Sequence, residues 1–177
     1  MSLPKMKAAV LTRLNRPLDI MSGIECSTPG RGQVLVKIAY SGVCHSQLME
    51  ARGRRGSDPY LPHLLGHEGS GKVISIGEGV SKVSPGELVI LGWIRGTGLE
   101  SGGAQYHCDC LPQKINAGGV TTFNEYALVS ENRVVPLPLG VPLDVAVLFG
   151  CALPTGAGII TNDLRPIAGS SIAVFGL

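Results

Sequence analysis

The run Gly66-His67-Glu68-Gly69-Ser70-Gly71-Lys72-Val73-Ile74-Ser75-Ile76-Gly77-Glu78-Gly79-Val80 decides how this chain is read. Gly69 to Ile76 has the residue types of a β-strand, and Gly77-Glu78-Gly79 stops it. An imidazole and a carboxylate stand immediately before it. Upstream, residues 54–65 hold Gly56, Pro59 and Pro62 and read as a loop. Further out, Lys7–Leu11, Gln33–Tyr40, Glu87–Leu91, Phe123–Val129 and Arg133–Leu137 carry the same short apolar and β-branched signature between turn residues. Between them, residues 92–119 are dotted with glycine, lack periodicity and read as an excursion from the sheet. Cys44 to Arg52 is mildly helical and ends at Gly53. This series of short strands predicts a mainly β fold, a small β-barrel with short helices.

Composition agrees. With 25 glycines and 12 prolines in 177 residues and only 5% aromatics, turns joining short strands fit better than a helical bundle. Hydrophobic residues at 44% supply a core, and charged residues at 16% are too few for a disordered chain. The net charge of +2 is too balanced for a nucleic-acid binder or a polybasic membrane binder. The longest apolar stretch, Val145 to Leu153, is far short of the roughly 18 residues of a membrane span. The start, Met1-Ser2-Leu3-Pro4-Lys5, lacks the apolar run of a secretory signal. These features predict a cytoplasmic protein.

Beyond Pro142 the texture changes. Leu143–Phe149 has helical spacing, and Thr155–Ile160 starts a second helix. Ala168-Gly-Ser-Ser-Ile-Ala-Val-Phe-Gly-Leu177 then reads as a turn followed by a continuous apolar strand, the kind a parallel sheet covered on both faces requires. It is also how a dinucleotide-binding βαβ unit opens. The expected division is a catalytic domain over residues 1–167 and the beginning of a second, truncated domain over 168–177.

The five cysteines are Cys26, Cys44, Cys108, Cys110 and Cys151. An odd number without an export signal argues against a disulfide framework, leaving buried hydrophobe, reactive thiol or metal ligand as roles. Cys44, His67 and Cys151 lie far apart in sequence, in Ser41-Gly-Val-Cys44-His45-Ser46, Gly66-His67-Glu68 and Gly150-Cys151-Ala-Leu-Pro-Thr155-Gly156. Two thiolates and an imidazole suit zinc and leave a fourth position open. Spacing alone leaves a second reading in place, two core cysteines and a hydrogen-bonded histidine.

The run from Gly66 to Val80 resembles, position for position, the zinc signature of alcohol dehydrogenases of the medium-chain dehydrogenase/reductase family. Val43-Cys44-His45-Ser46 and Gly150–Gly156 resemble that family's other two ligand segments, in the same order. Phe123–Val129 is similar to its returning barrel strand, and Ile172–Leu177 to the first strand of its cofactor-binding Rossmann domain. The resemblance implies a GroES-like barrel carrying one catalytic zinc on Cys44, His67 and Cys151. It further implies Glu68 as a carboxylate near the metal, Ser46 as acceptor of the alcohol proton, His45 as a cofactor-phosphate contact and Thr155 as a nicotinamide neighbour. Trp93 would line the substrate pocket. Each has a plainer reading: a solvated strand-edge charge for Glu68, a helix-capping serine for Ser46, a core tryptophan for Trp93.

Three departures from the family pattern stand out. The stretch Thr97–Leu111 lacks the four closely spaced cysteines of a structural zinc lobe, so no structural zinc and a mobile loop are expected there. Gln47 stands where a carboxylate often orients the ligand histidine, and Met49 where a histidine often ends the proton relay. The implied activity is oxidation of a small alcohol, or reduction of an aldehyde, with NAD or NADP. The sequence leaves the oligomeric state of the full-length enzyme open, a homo-oligomer included, and the 177-residue chain alone is expected to bind zinc with little turnover. The rivals are a zinc-free reductase of the same family and a non-catalytic metal-binding barrel module.

Overall fold

A computed structural model of the chain describes residues 5–175. Two β-sheets dominate it. The first closes on itself in the order β1 (Met6–Leu11), β2 (Asp19–Cys26), β7 (Gln105–His107), β8 (Ile115–Asn116) and β4 (His63–Leu64). The second runs β10 (Val134–Pro136), β6 (Leu88–Leu91), β5 (Gly69–Ile76), β3 (Gln33–Ser41), β9 (Tyr126–Ser130). Neighbours in the second sheet pair antiparallel, whereas β4 and β8 pair parallel at His63 and Asn116.

Strands β3 and β9 explain why two cores coexist. Successive side chains of a strand point to opposite faces. Leu35 and Leu128 therefore enter one cluster with Met6, Val10, Ile24, Tyr106 and Ile115. Val34, Val36, Ala127 and Val129 enter the other with Val73, Val89, Leu91 and Val134. A strand buried on both faces has no reason to alternate polar and apolar residues. This accounts for the unbroken apolar run Val34-Leu35-Val36.

Several sequence expectations are corrected. The glycine-dotted segment 92–119 is no excursion: β7 and β8 within it complete the closed sheet, and Tyr106, Cys108 and Ile115 are buried in its core. The expected mobile loop is thus packed around 105–116. Strand β2 escaped notice because its side chains are mostly half-exposed, so no alternation marks it. Within the predicted loop 54–65, His63 and Leu64 pair with Leu11 and Val10. Cys108 and Cys110 form a disulfide, against the expectation from the odd count. One intervening residue holds their Cα atoms 5.1 Å apart, within bridging range. Cys26, Cys44 and Cys151 remain as thiols.

The C-terminal segment folds into short helices, α2 (Leu143–Ala146) and α3 (Ala152–Gly158), then a wider turn over Ile159–Leu164. The described part of the expected last strand forms none. Ile172, Val174 and Phe175 are exposed, and among the described residues no strand lies beside them to take up their backbone bonds. Gly176 and Leu177, and the first four residues, lie outside the described residues. Among the described residues no single helix is long and apolar enough to cross a membrane.

Candidate metal centre

Three elements converge on one point. Cys44 is the residue before α1 (His45–Ala51), His67 precedes β5, and Cys151 precedes α3. The Cys44 Sγ, the Cys151 Sγ and a His67 ring nitrogen all lie within 4.8 Å of one another. His67 Nε2 is 3.2 Å from Cys151 Sγ. Tetrahedral ligands of zinc are about 3.3–3.8 Å apart, so this spacing suits one ion.

Backbone geometry holds the triangle. Gly66 has φ +88°, and a Cβ there would strike Thr122 and the Phe123 backbone nitrogen. That close approach lets Thr122 and Phe123 N–H donate to the Leu65 carbonyl, at 3.1 and 3.0 Å. The Thr122 hydroxyl donates to the Glu68 carbonyl at 3.0 Å and meets the Ser41 hydroxyl at 2.7 Å. Gly150 packs so tightly that a Cβ would collide with the Leu91 carbonyl and Glu68. Thr122 and Ser41 escaped sequence reasoning because nothing in their spacing points at His67.

Gln47 ties two of the donors together. Its Oε1 accepts from the Cys44 backbone N–H at 2.9 Å, and its amide nitrogen meets His67 Nδ1. Gln47 is buried, so both contacts lie away from solvent. Gln47 thus gives His67 a neutral partner where the family pattern often has a carboxylate.

Glu68 is 3% exposed, which removes the reading of a solvated charge. Its Oε2 accepts from the Ala152 N–H at 3.1 Å, at the start of α3, so the carboxylate anchors the residue next to Cys151. Ser46 is the second residue of α1, past the capping position that Cys44 occupies. His45 is exposed at the first position of that helix, and Thr155 is exposed on α3 with its Oγ1 3.8 Å from Cys151 Sγ. Trp93 is half exposed, not a core residue, and its backbone N–H donates to the Gly150 carbonyl beside Cys151.

The protonation tendencies of Cys44 and His67 fit metal ligation, and that of Cys151 runs the other way. Hydrogen bonding with the Ser46 side chain and backbone holds the Cys44 thiol below its ordinary pKa, against burial and with help from Cys151. Burial pushes the Cys151 thiol up, and the neighbouring Cys44 charge pushes the same way. Burial, with the Arg55 charge, holds the His67 imidazole below its usual value and so favours the neutral ring. A neutral imidazole and a readily ionised thiol are the forms a metal needs.

A GroES-like β-barrel with a thiol-thiol-imidazole centre is the class that fold and site define. The alcohol dehydrogenase GroES-like domain family matches residues 30–139, and the chain belongs to that family. Curated relatives include S-(hydroxymethyl)glutathione dehydrogenase of Photobacterium damsela subsp. piscicida, 33% identical over 98% of this chain and 53% of its own length. Alcohol dehydrogenase 2 of Solanum tuberosum is 30% identical over 98% of this chain and 51% of its own length. Among solved structures, an alcohol dehydrogenase zinc-binding domain protein from Burkholderia ambifaria superposes with a TM-score of 0.82 at 27% identity, covering 98% of this chain and 52% of that one. Benzyl alcohol dehydrogenase from Acinetobacter calcoaceticus gives 0.74 at 26% identity, covering 92% and 49%. The chain spans about half the length of the curated relatives it matches.

Proposed function

We propose that this chain is the metal-carrying half of a zinc-dependent oxidoreductase acting on a small alcohol or aldehyde with NAD or NADP. The observation that carries this reading is the meeting of Cys44, His67 and Cys151 within 4.8 Å. These three residues would hold the ion, with a fourth position left for substrate. When bound, zinc supplies Lewis-acid polarisation of the substrate oxygen. The nicotinamide supplies the hydride acceptor or donor.

The remaining work falls to the chain's own side chains. Ser46, two residues after Cys44, would relay the substrate hydroxyl proton, accepting it while passing its own to water or to His45. Glu68 holds Cys151 through the start of α3, and Gln47 holds His67 through Nδ1. His45 and Thr155, both exposed, are free to face a cofactor's phosphate and nicotinamide. Trp93, anchored beside Gly150, would wall the substrate side.

Zinc analysis of the purified chain, with assays against NAD, NADP and a panel of alcohols, tests this reading. It expects about one zinc per chain held through sulfur and lost on Cys44→Ser, and little turnover from the chain alone. Zinc-free protein would favour the zinc-free branch of the family. Rapid turnover by the 177-residue chain would contradict the division of labour.

A further inference from the structure

A second group of donors lies apart from the thiols. Glu50 at the end of α1, Asp58 in the following loop and His63 on β4 bring one ligand atom each within 4.8 Å of the others. We propose that these three side chains form a second divalent-cation site, suited to zinc or a neighbouring first-row ion.

The argument starts from the imidazole. His63 Nδ1 lies 3.0 Å from the Leu64 carbonyl, which can only accept, so Nδ1 carries hydrogen. In the neutral ring Nε2 then presents its lone pair to Asp58 Oδ2, 2.8 Å away, and to Glu50 Oε1, 3.7 Å away. Two carboxylate oxygens converge on a ring nitrogen of His63, whose side chain is only 9% exposed, and this arrangement favours a positive charge between them. A proton on Nε2 joins His63 to Asp58 but leaves Glu50 beyond hydrogen-bond range. Arg55 pairs only with the other Glu50 oxygen, at 3.7 Å, and is more than half exposed, so it stays outside the group. A divalent ion satisfies all three at once, because tetrahedral ligands with one nitrogen and two oxygens are about 3.3 Å apart.

The donors are also preorganised from outside the cluster. A ligand histidine is commonly fixed by a hydrogen bond from its other nitrogen, as the Leu64 carbonyl fixes His63. β-pairing with Leu11 and Asn116 holds the His63 backbone. The Tyr60 N–H donates to Asp58 Oδ1 at 2.9 Å, which aims Oδ2 at the imidazole. A cavity of about 460 Å³ lined by Glu50, His63, Gln47 and His67 gives an ion and its waters room to reach them. One imidazole with two carboxylates favours borderline first-row ions over magnesium.

Cobalt(II) titration separates this site from the thiol centre. Thiolate ligands give cobalt an intense sulfur charge-transfer band, whereas a nitrogen–oxygen site gives weak ligand-field bands only. The full chain carrying Cys44→Ser and Cys151→Ser should still bind about one cobalt per chain, without the sulfur band. Adding Asp58→Asn or His63→Gln should abolish that binding. The milder Glu50→Gln, at a more exposed position, should weaken it at least tenfold with the far-UV spectrum unchanged. A chain carrying Cys44→Ser and Cys151→Ser that binds no cobalt overturns the proposal, as does binding that Glu50→Gln leaves unchanged. Loss of the sulfur band from the unmutated chain would instead count against the thiol centre and leave this site standing.

Discussion

Gln47→Leu tests how the buried amide governs the metal centre. In the metal-free chain Gln47 Oε1 accepts from Cys44 N–H, so its amide nitrogen must donate to His67 Nδ1. The ring hydrogen then sits on Nε2, facing the Cys151 sulfur. A metal on Nε2 displaces that hydrogen and places one on Nδ1, where it meets an amide donor. The amide must turn, and Cys44 N–H loses its acceptor. Leucine supplies neither partner, and loss of such an orienting contact typically weakens metal affinity about 10- to 100-fold, or about 1.4–2.7 kcal/mol. Glutamate, with an oxygen on each side, accepts from both groups and should bind zinc more tightly than the native amide. Chelator competition on the folded variants gives the affinities, and thermal melts report stability separately. The order glutamate, glutamine, leucine is expected from tightest to weakest. Equal affinities within twofold would refute the reasoning.

Three further outcomes follow from the packing. Gly150→Ala drives a methyl into the Leu91 carbonyl and the Glu68 side chain, and should cost about 1–3 kcal/mol in a urea melt. Tyr106→Phe removes the hydroxyl that accepts from Leu128 N–H at 2.8 Å, and orphaning that buried donor should cost about 1–3 kcal/mol by the same measurement. Glu131 is buried and accepts from the N–H groups of Ser81, Lys82 and Leu99 at 2.7, 2.9 and 2.7 Å. Burial alone would raise its pKa, but these donors hold it below the ordinary value. Its contribution is therefore present above the unfolded carboxylate's pKa of about 4.3 and lost as pH falls through the lower folded value. Glu131→Gln should flatten the acid limb of a stability–pH profile, and an unchanged limb would contradict that role.

Much of the barrel was legible because β3, β5 and β6 are short apolar runs between glycines, the pattern a buried strand imposes on sequence. Strands β7 and β8 were not, since three- and two-residue strands are too short to show any period. The last apolar run reads as a strand, yet Ile172 to Phe175 lie exposed, because strand formation depends on a neighbour that local sequence does not encode. At the site, Cys44, His67 and Cys151 were picked out through motifs, and the fold brings them together. Glu68 was only half understood: its charge was visible, but its burial and its bond to Ala152 N–H belong to tertiary packing. The Glu50, Asp58 and His63 group left no mark in the sequence, because helix end, loop and strand meet only after the barrel closes.

X-ray absorption at the zinc edge, on the His63→Gln chain loaded with one equivalent of zinc, reads the inner ligand shell directly. Two sulfur neighbours near ~2.3 Å and an imidazole nitrogen near ~2.0 Å are expected. A shell of nitrogen and oxygen alone would show that Cys44 and Cys151 do not bind the ion, and the oxidoreductase reading would lose its chemical basis.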